Sequence, residues 1–207
     1  MTTTKAATFT HTGQIPPNAC FQAGGTVTIA TDAAVNFTRA RAGSGFIATS
    51  GLFGLAAHPQ PREIAGSSAA TVAELRAIWR AVHAAAGDAA CRNRIVILTD
   101  NQDAVRYLRA WQRRETLRYP SGYQLRDARA SGNMSSLEKL SEVMAMDGAR
   151  YDIRKVTGHR GDILNEAADS LAKLALRTGT RNGVSKPEAV QAAATIAGHR
   201  LADYWGR

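Results

Sequence analysis

The chain has 207 residues, long enough for one well-buried domain with extensions, and its apolar and charged fractions are ordinary for a soluble globular protein. Its net charge of +9 is not ordinary, and 21 of the 26 cationic residues are arginine, a balance that fits a polyanionic partner because guanidinium groups pair with phosphate in two-pronged fashion. Cys20 and Cys91 are far apart and lack metal-ligand spacing, no apolar run nears membrane-spanning length, and the first thirty residues lack the basic-then-apolar design of a secretory signal; no disulfide framework or zinc site is implied, and the cytoplasm is the expected location.

Residues 1–25 are rich in Thr, Gly, Pro and Gln, show no sustained period, and read as an extension with room for one short strand. From Thr26 the pattern alternates: Val27, Ile29 and Thr31 share one face of a strand, with Asp32 on the other. Gly43-Ser44-Gly45 breaks the chain, Phe46–Thr49 resumes it, and Leu52–Ala57 follows as a third strand, continuing near Glu63-Ile64. Short Gly-containing connections predict an antiparallel meander. Ser67 and Ser68 are candidate caps for a helix running to about Ala86, with Val72, Leu75, Trp79 and Val82 inward. Glu74 flanks that stripe instead of lying opposite it, a position from which it could reach toward the sheet. The run Ile95-Val96-Ile97-Leu98 predicts a strand buried on both faces, and it ends at Asp100, where a helix begins.

Between Arg106 and Arg129 seven arginines stand against two acids, with Trp111, Tyr119 and Tyr123 interleaved; helix, loop and helix with a basic surface are expected there. Ser135 to Glu138 has a capping-box pattern and opens another helix. Tyr151–Val156 alternates as a last strand, a Gly- and His-containing loop follows, and Asn165–Leu176 reads as a helix. A linker at residues 178–183 precedes a final helix opening at Ser185-Lys186-Pro187-Glu188, which docks on the core or meets a protein partner. The expected organisation is an extension over residues 1–25, a catalytic domain over 26–178, and a linker with a C-terminal helix over 179–207. Three strands, helix, strand, helices, strand and helix predict an α/β fold: a mixed five-stranded sheet, three antiparallel strands then two parallel, with helices on both faces.

Asp32, Glu74, Asp100 and Asp169 stand in places that such a sheet can bring together. Each has an ordinary reading as well: Asp32 as an edge-strand acid, Glu74 as a solvated helix residue, Asp100 as a helix N-cap, Asp169 as a first-turn acid favoured by the helix dipole. Four clustered carboxylates repel unless neutralised, and hard oxygen ligands suit Mg²⁺ or Mn²⁺. On an Arg-rich protein this combination points to phosphodiester hydrolysis.

Those residues carry a resemblance. Thr31-Asp32, Ala73-Glu74-Leu75, Leu98-Thr99-Asp100-Asn101-Gln102, Val156-Thr157-Gly158-His159 and Asn165-Glu166-Ala167-Ala168-Asp169-Ser170-Leu171-Ala172 stand in order. Together they resemble type I ribonuclease H, the bacterial and retroviral family that cuts RNA in RNA–DNA hybrids, across roughly Thr26 to Leu176. The resemblance implies a ribonuclease H-like fold and two Mg²⁺ ions held by Asp32, Glu74, Asp100 and Asp169, with Mn²⁺ able to substitute. It implies that His159 assists proton transfer or product release. Gln102, Asn101 and Asn165 are implied to contact the hybrid, and Arg113, Arg114 and Arg118 lie in a segment that resembles the family's DNA-gripping basic protrusion. The expected product ends are 3′-hydroxyl and 5′-phosphate, and a monomer is expected. Resolvase- or integrase-type enzymes acting on DNA, and a non-catalytic nucleic-acid-binding module, are the rival readings. Ala33 stands where the family usually has Gly, and Ala69 and Ala70 stand where some members have polar phosphate contacts.

Overall fold

In the computed structural model, which describes residues 8–17, 25–60, 64, 66–115, 119–123, 134–158, 161–180 and 182–206, the aliphatic run forms a strand, Ile95–Thr99, with all five residues buried. It is the fifth of six strands in one sheet. These are β1 (Phe9–Gln14), β2 (Val27–Asn36), β3 (Arg41–Ala48), β4 (Leu52–Pro59), β5 (Ile95–Thr99) and β6 (Tyr151–Lys155). Their order across the sheet is β1-β4-β3-β2-β5-β6. The first three pairings are antiparallel, whereas β2–β5 and β5–β6 are parallel.

The expected five strands are corrected to six by β1, which pairs with β4 from Phe9↔Ala57 to Gln14↔Leu52. Its residues alternate between half-buried and exposed, and it contains no aliphatic side chain to announce itself. Gly13 fits here for a steric reason: a Cβ at that position would lie 2.4 Å from the ring of Phe53.

A second correction concerns Gly43-Ser44-Gly45. These residues do not break the chain; they lie inside β3, every residue of which is buried. Helix α4 (Ile163–Arg177) rests directly on them. A Cβ on Gly43 would meet the Ala172 carbonyl oxygen at 2.2 Å, and one on Gly45 would meet the Ala168 carbonyl oxygen at 2.3 Å. Alternate glycines thus form a smooth strip on one face of the strand, and the backbone of α4 packs against it.

Helices α1 (Gly66–Ala85), α2 (Gln102–Gln112) and α3 (Ser136–Asp147) cover the opposite face, where Ile29, Leu75, Ile78, Leu108, Trp111 and Leu140 form the larger core. The α1 helix begins at Gly66 with φ +58°, so Ser67 and Ser68 occupy its first turn instead of capping it. The capping box of α3 forms as its sequence predicts: Glu138 N–H donates to Ser135 Oγ, and Ser135 N–H donates to the Glu138 carboxylate at 2.7 Å.

The final helix, α5 (Lys186–Trp205), opens with its own Ser185–Glu188 capping box and a proline in its first turn. Ala189, Ala193, Ala197 and Leu201 recur every fourth residue and are fully buried, the last three in the second core beside Ile47, Leu55 and Leu171. That stripe docks within the chain itself. Trp205 adds a tie from the other end of the helix, its indole N–H donating to the Thr49 carbonyl. No described helix is long and apolar enough to cross a membrane.

Candidate metal centre

The centre begins where β2 outruns β5. Their parallel pairing ends at Ala30↔Leu98, beyond which β2 continues to Asn36 against β3 alone. On the vacated side the Ala33 N–H donates to Asp32 Oδ1 at 2.8 Å and to Glu74 Oε1 at 3.0 Å. Ala33 holds an ordinary strand conformation, since the described non-glycine residues with positive φ are Ala40 and Arg114. Its replacement of the family glycine therefore costs no backbone strain.

Glu74 reaches this point from the inward side of α1 and is 5% exposed. Its second oxygen, Oε2, is buried without a hydrogen-bond partner. Such an orphan acceptor is costly unless something binds it.

Asp100 enters from the end of β5. It is not the N-cap of α2, for that role belongs to Asn101, whose side chain accepts from the Ala104 N–H at 2.9 Å. The neighbour's cap leaves the Asp100 carboxylate to the cluster. Asp32, Glu74 and Asp100 each present an oxygen, and the three oxygens lie within 4.8 Å of one another.

Asp169 approaches on α4. The register Asp32↔Gly45 and the seating of Ala168 on Gly45 bring its helix beside Asp32. The Asp169 carboxyl group lies close enough to Asp32 to raise it. Asp169 also accepts from the Lys173 ammonium at 2.7 Å, one helical turn on. It stands beside the three-acid cluster and is not one of its members.

Crowding and burial shape the protonation of these groups. Burial pushes Asp32 up to about 7, with the Asp100 charge and the Asp169 carboxyl adding to the rise; hydrogen bonds from the Glu74 carboxyl and the Ala33 N–H oppose it. Burial also drives Glu74 well above the usual carboxylate range, reinforced by the charge of Asp32, the hydrogen bond to it, and the charge of Asp100. An all-oxygen, mutually repelling donor set with an unpartnered buried oxygen fits a hard divalent cation, whose charge would offset the burial and repulsion that raise both groups.

Gly158, in the loop after β6, approaches this cluster closely. A Cβ there would lie 2.7 Å from Asp100 Oδ2. The loop is held by the Val156 N–H donating to the Thr99 carbonyl at 3.0 Å.

The other predicted site residues are distributed unevenly. Gln102 is exposed at the start of α2, next to the acids, and Asn101 is half-buried. Arg113 and Arg114 are exposed just past the end of α2; Arg113 pairs with Glu115 at 2.5 Å, and Arg114 donates to the Ala145 carbonyl at 3.0 Å. Asn165 is 5% exposed, and its Oδ1 is buried without a hydrogen-bond partner. His159 and Arg118 lie outside the described residues, as do Arg126, Arg129 and Glu63. The aromatic residues of the basic segment pack inward: Trp111 is fully buried, Tyr119 lies 5.8 Å from it and Tyr123 stacks at 6.0 Å from Tyr119.

Sequence reasoning missed Gly45 and Lys173. The first had a signal in its spacing from Gly43, two glycines on one face of a strand. The second had one in its i+4 relation to Asp169.

A model of the RNase H family matches residues 24–177, about three-quarters of the chain. No curated protein matches it.

Proposed function

The chain belongs to the ribonuclease H family, and on that footing we propose that it is a type I enzyme, an endonuclease that hydrolyses the RNA strand of RNA–DNA hybrids and leaves 3′-hydroxyl and 5′-phosphate ends. The observation that carries the reading is the convergence of Asp32, Glu74 and Asp100 to within 4.8 Å, oxygen to oxygen, with Asp169 alongside. These four acids would hold two divalent ions, Mg²⁺ or Mn²⁺. When bound, such ions activate water and stabilise the charge on a departing oxygen.

The residues themselves do the holding and orienting. Glu74 contributes Oε1 to the Ala33 N–H and keeps Oε2 for a ligand. Asp100 is aimed by the end of β5 and backed by Gly158. Lys173 restrains Asp169 from the solvent side, where its side chain is 60% exposed. Gln102 and Asn101 lie beside Asp100 at the start of α2, in reach of a groove bearing 2′-hydroxyls, the feature that distinguishes the RNA strand. Arg113, Arg114 and Arg118 take the DNA strand of the hybrid, and His159 serves proton transfer or product release. The enzyme works as a monomer in the cytoplasm, with residues 26–178 as the catalytic unit.

The test is cleavage of a labelled hybrid beside duplex DNA and duplex RNA, with and without EDTA, for the wild type and Asp100→Asn. Cutting confined to the RNA strand of the hybrid, and abolished by the chelator or the substitution, is expected. Cleavage that survives Asp100→Asn would sink the assignment.

A further inference from the structure

Away from the acids, the α1 side of the sheet holds a cavity of about 1050 Å³ between β1, β4 and α1. That volume lies at the upper end of the range for small-ligand sites. Arg76, Arg80 and His83 recur at i, i+4 and i+7 along α1 and line it, on a side of the helix turned away from Glu74. None of the described lining residues is acidic. Arg80 donates to Thr10 Oγ1 at 3.1 Å, and among the described residues no carboxylate lies within ion-pair distance of it. A half-buried guanidinium with only a neutral partner retains donors for an anion.

The same cavity has aromatic walls. Trp79 lines it and stacks on His83 at 5.2 Å with the rings 20° apart, and Tyr123 lines the far side. In the interior, His58 is 6% exposed and hydrogen-bonds Ser44 Oγ at 3.1 Å through Nε2. Its Nδ1 faces the Pro59 carbonyl at 3.4 Å, an acceptor, so Nδ1 carries the hydrogen and Nε2 accepts from the Ser44 hydroxyl. Burial among arginines keeps this imidazole neutral. The positive charge of the cavity therefore sits on α1, at one wall, with rings beside it.

We propose that this cavity binds a nucleoside phosphate, with Arg80 taking the phosphoryl group and the base lying against Trp79. Arginine forks match phosphate oxygens, and an indole face accepts any base. The ligand is a free nucleotide or the phosphorylated end of a nucleic-acid strand; both present this chemistry. The site is separate from the carboxylates and does not depend on the hydrolytic reading.

The experiment is titration of the full chain in EDTA, which keeps divalent ions from recruiting phosphate to the acids, followed by calorimetry and tryptophan fluorescence. The probes are AMP, adenosine, inorganic phosphate, and a short oligonucleotide with and without a 5′-phosphate. Saturable AMP binding is expected, weakened about tenfold or more in Arg80→Gln, which removes a charge-assisted hydrogen bond. Arg80→Lys should fall between, keeping charge without the fork, and guards against a fold defect in the glutamine variant. Trp79→Leu should bring AMP down toward inorganic phosphate. Tighter binding of the 5′-phosphorylated oligonucleotide than of AMP assigns the site to a strand end, and the reverse assigns it to free nucleotide. No saturable binding by any phosphate-bearing probe, or AMP affinity unchanged in folded Arg80→Gln, overturns the proposal.

Discussion

Gly158 and Asp100 touch where the loop after β6 meets the end of β5: a methyl group on Gly158 would lie 2.7 Å from Asp100 Oδ2, closer than atoms pack. The missing side chain thus sets the position of a carboxylate. Gly158→Ala should displace Asp100, reduce the rise in Tm that Mg²⁺ produces, and lower hybrid cleavage by up to about 10²-fold, as misplacements of an ångström do. An unchanged Mg²⁺ response would mean that the loop, not the carboxylate, gives way.

Gly45 acts at greater distance. Its absent side chain seats α4, with the Ala168 carbonyl oxygen and the Ala172 nitrogen as the nearest obstacles at 2.3 and 2.5 Å, both backbone atoms that cannot swing aside. Gly45→Ala should cost about 1–3 kcal/mol in urea unfolding by overpacking. It should also depress cleavage beyond that destabilisation, because Asp169 rides on the displaced helix. Gly43→Ala, seated further along against Leu176, should match the destabilisation with a smaller effect on turnover.

The raised Asp32 predicts a stability profile with a definite sign. A carboxyl near 7 when folded and near 3.8 when unfolded binds more protons in the folded state between those values, so stability falls as pH rises through that window. In EDTA, Tm should drop between pH 4 and pH 7, and Asp100→Asn should make the drop shallower by removing a charge that raises Asp32. Mg²⁺ should restore Tm most strongly at the alkaline end, where the ligands are deprotonated. A flat apo profile would refute the burial of uncompensated charge.

For the basic segment the readout is salt. Replacing Arg113 and Arg114 with Ala should flatten the slope of log K against log salt for hybrid binding by up to about 0.9 for each phosphate that is no longer neutralised. Both side chains are exposed but already engaged, Arg113 with Glu115 and Arg114 with a carbonyl, so the substrate must compete for them. A slope identical to wild type would leave them as surface residues that never reach the substrate.

Where periodicity was strong, the sequence was legible. The run ending at Thr99, the capped helices, and Glu74 turned toward the sheet follow from hydrophobic pattern and cap chemistry. Harder to read were features that depend on what packs opposite. Gly43 and Gly45 look like a break in isolation and become a helix seat once α4 lies on them. Asn101 and Asp100 both suit an N-cap by composition, and only backbone geometry chooses between them. The burial of Asn165 likewise depends on what packs against α4. β1 was obscure because an edge strand needs only one neighbour, so Thr, His and Gly suffice where an interior strand would need aliphatics.

That modest strand has a protective role. β4, which it covers, carries Leu52-Phe53-Gly54-Leu55-Ala56-Ala57, uncharged and buried throughout, a segment suited to pairing with another copy of itself. With β1 in place, the outermost backbone donors and acceptors on that side belong to a short polar stretch containing His11 and Gln14. The opposite rim ends in β6, where Asp152, Arg154 and Lys155 resist a like partner. β1 therefore shields that edge of the sheet from self-association, a service to solubility that is independent of any chemistry at Asp100.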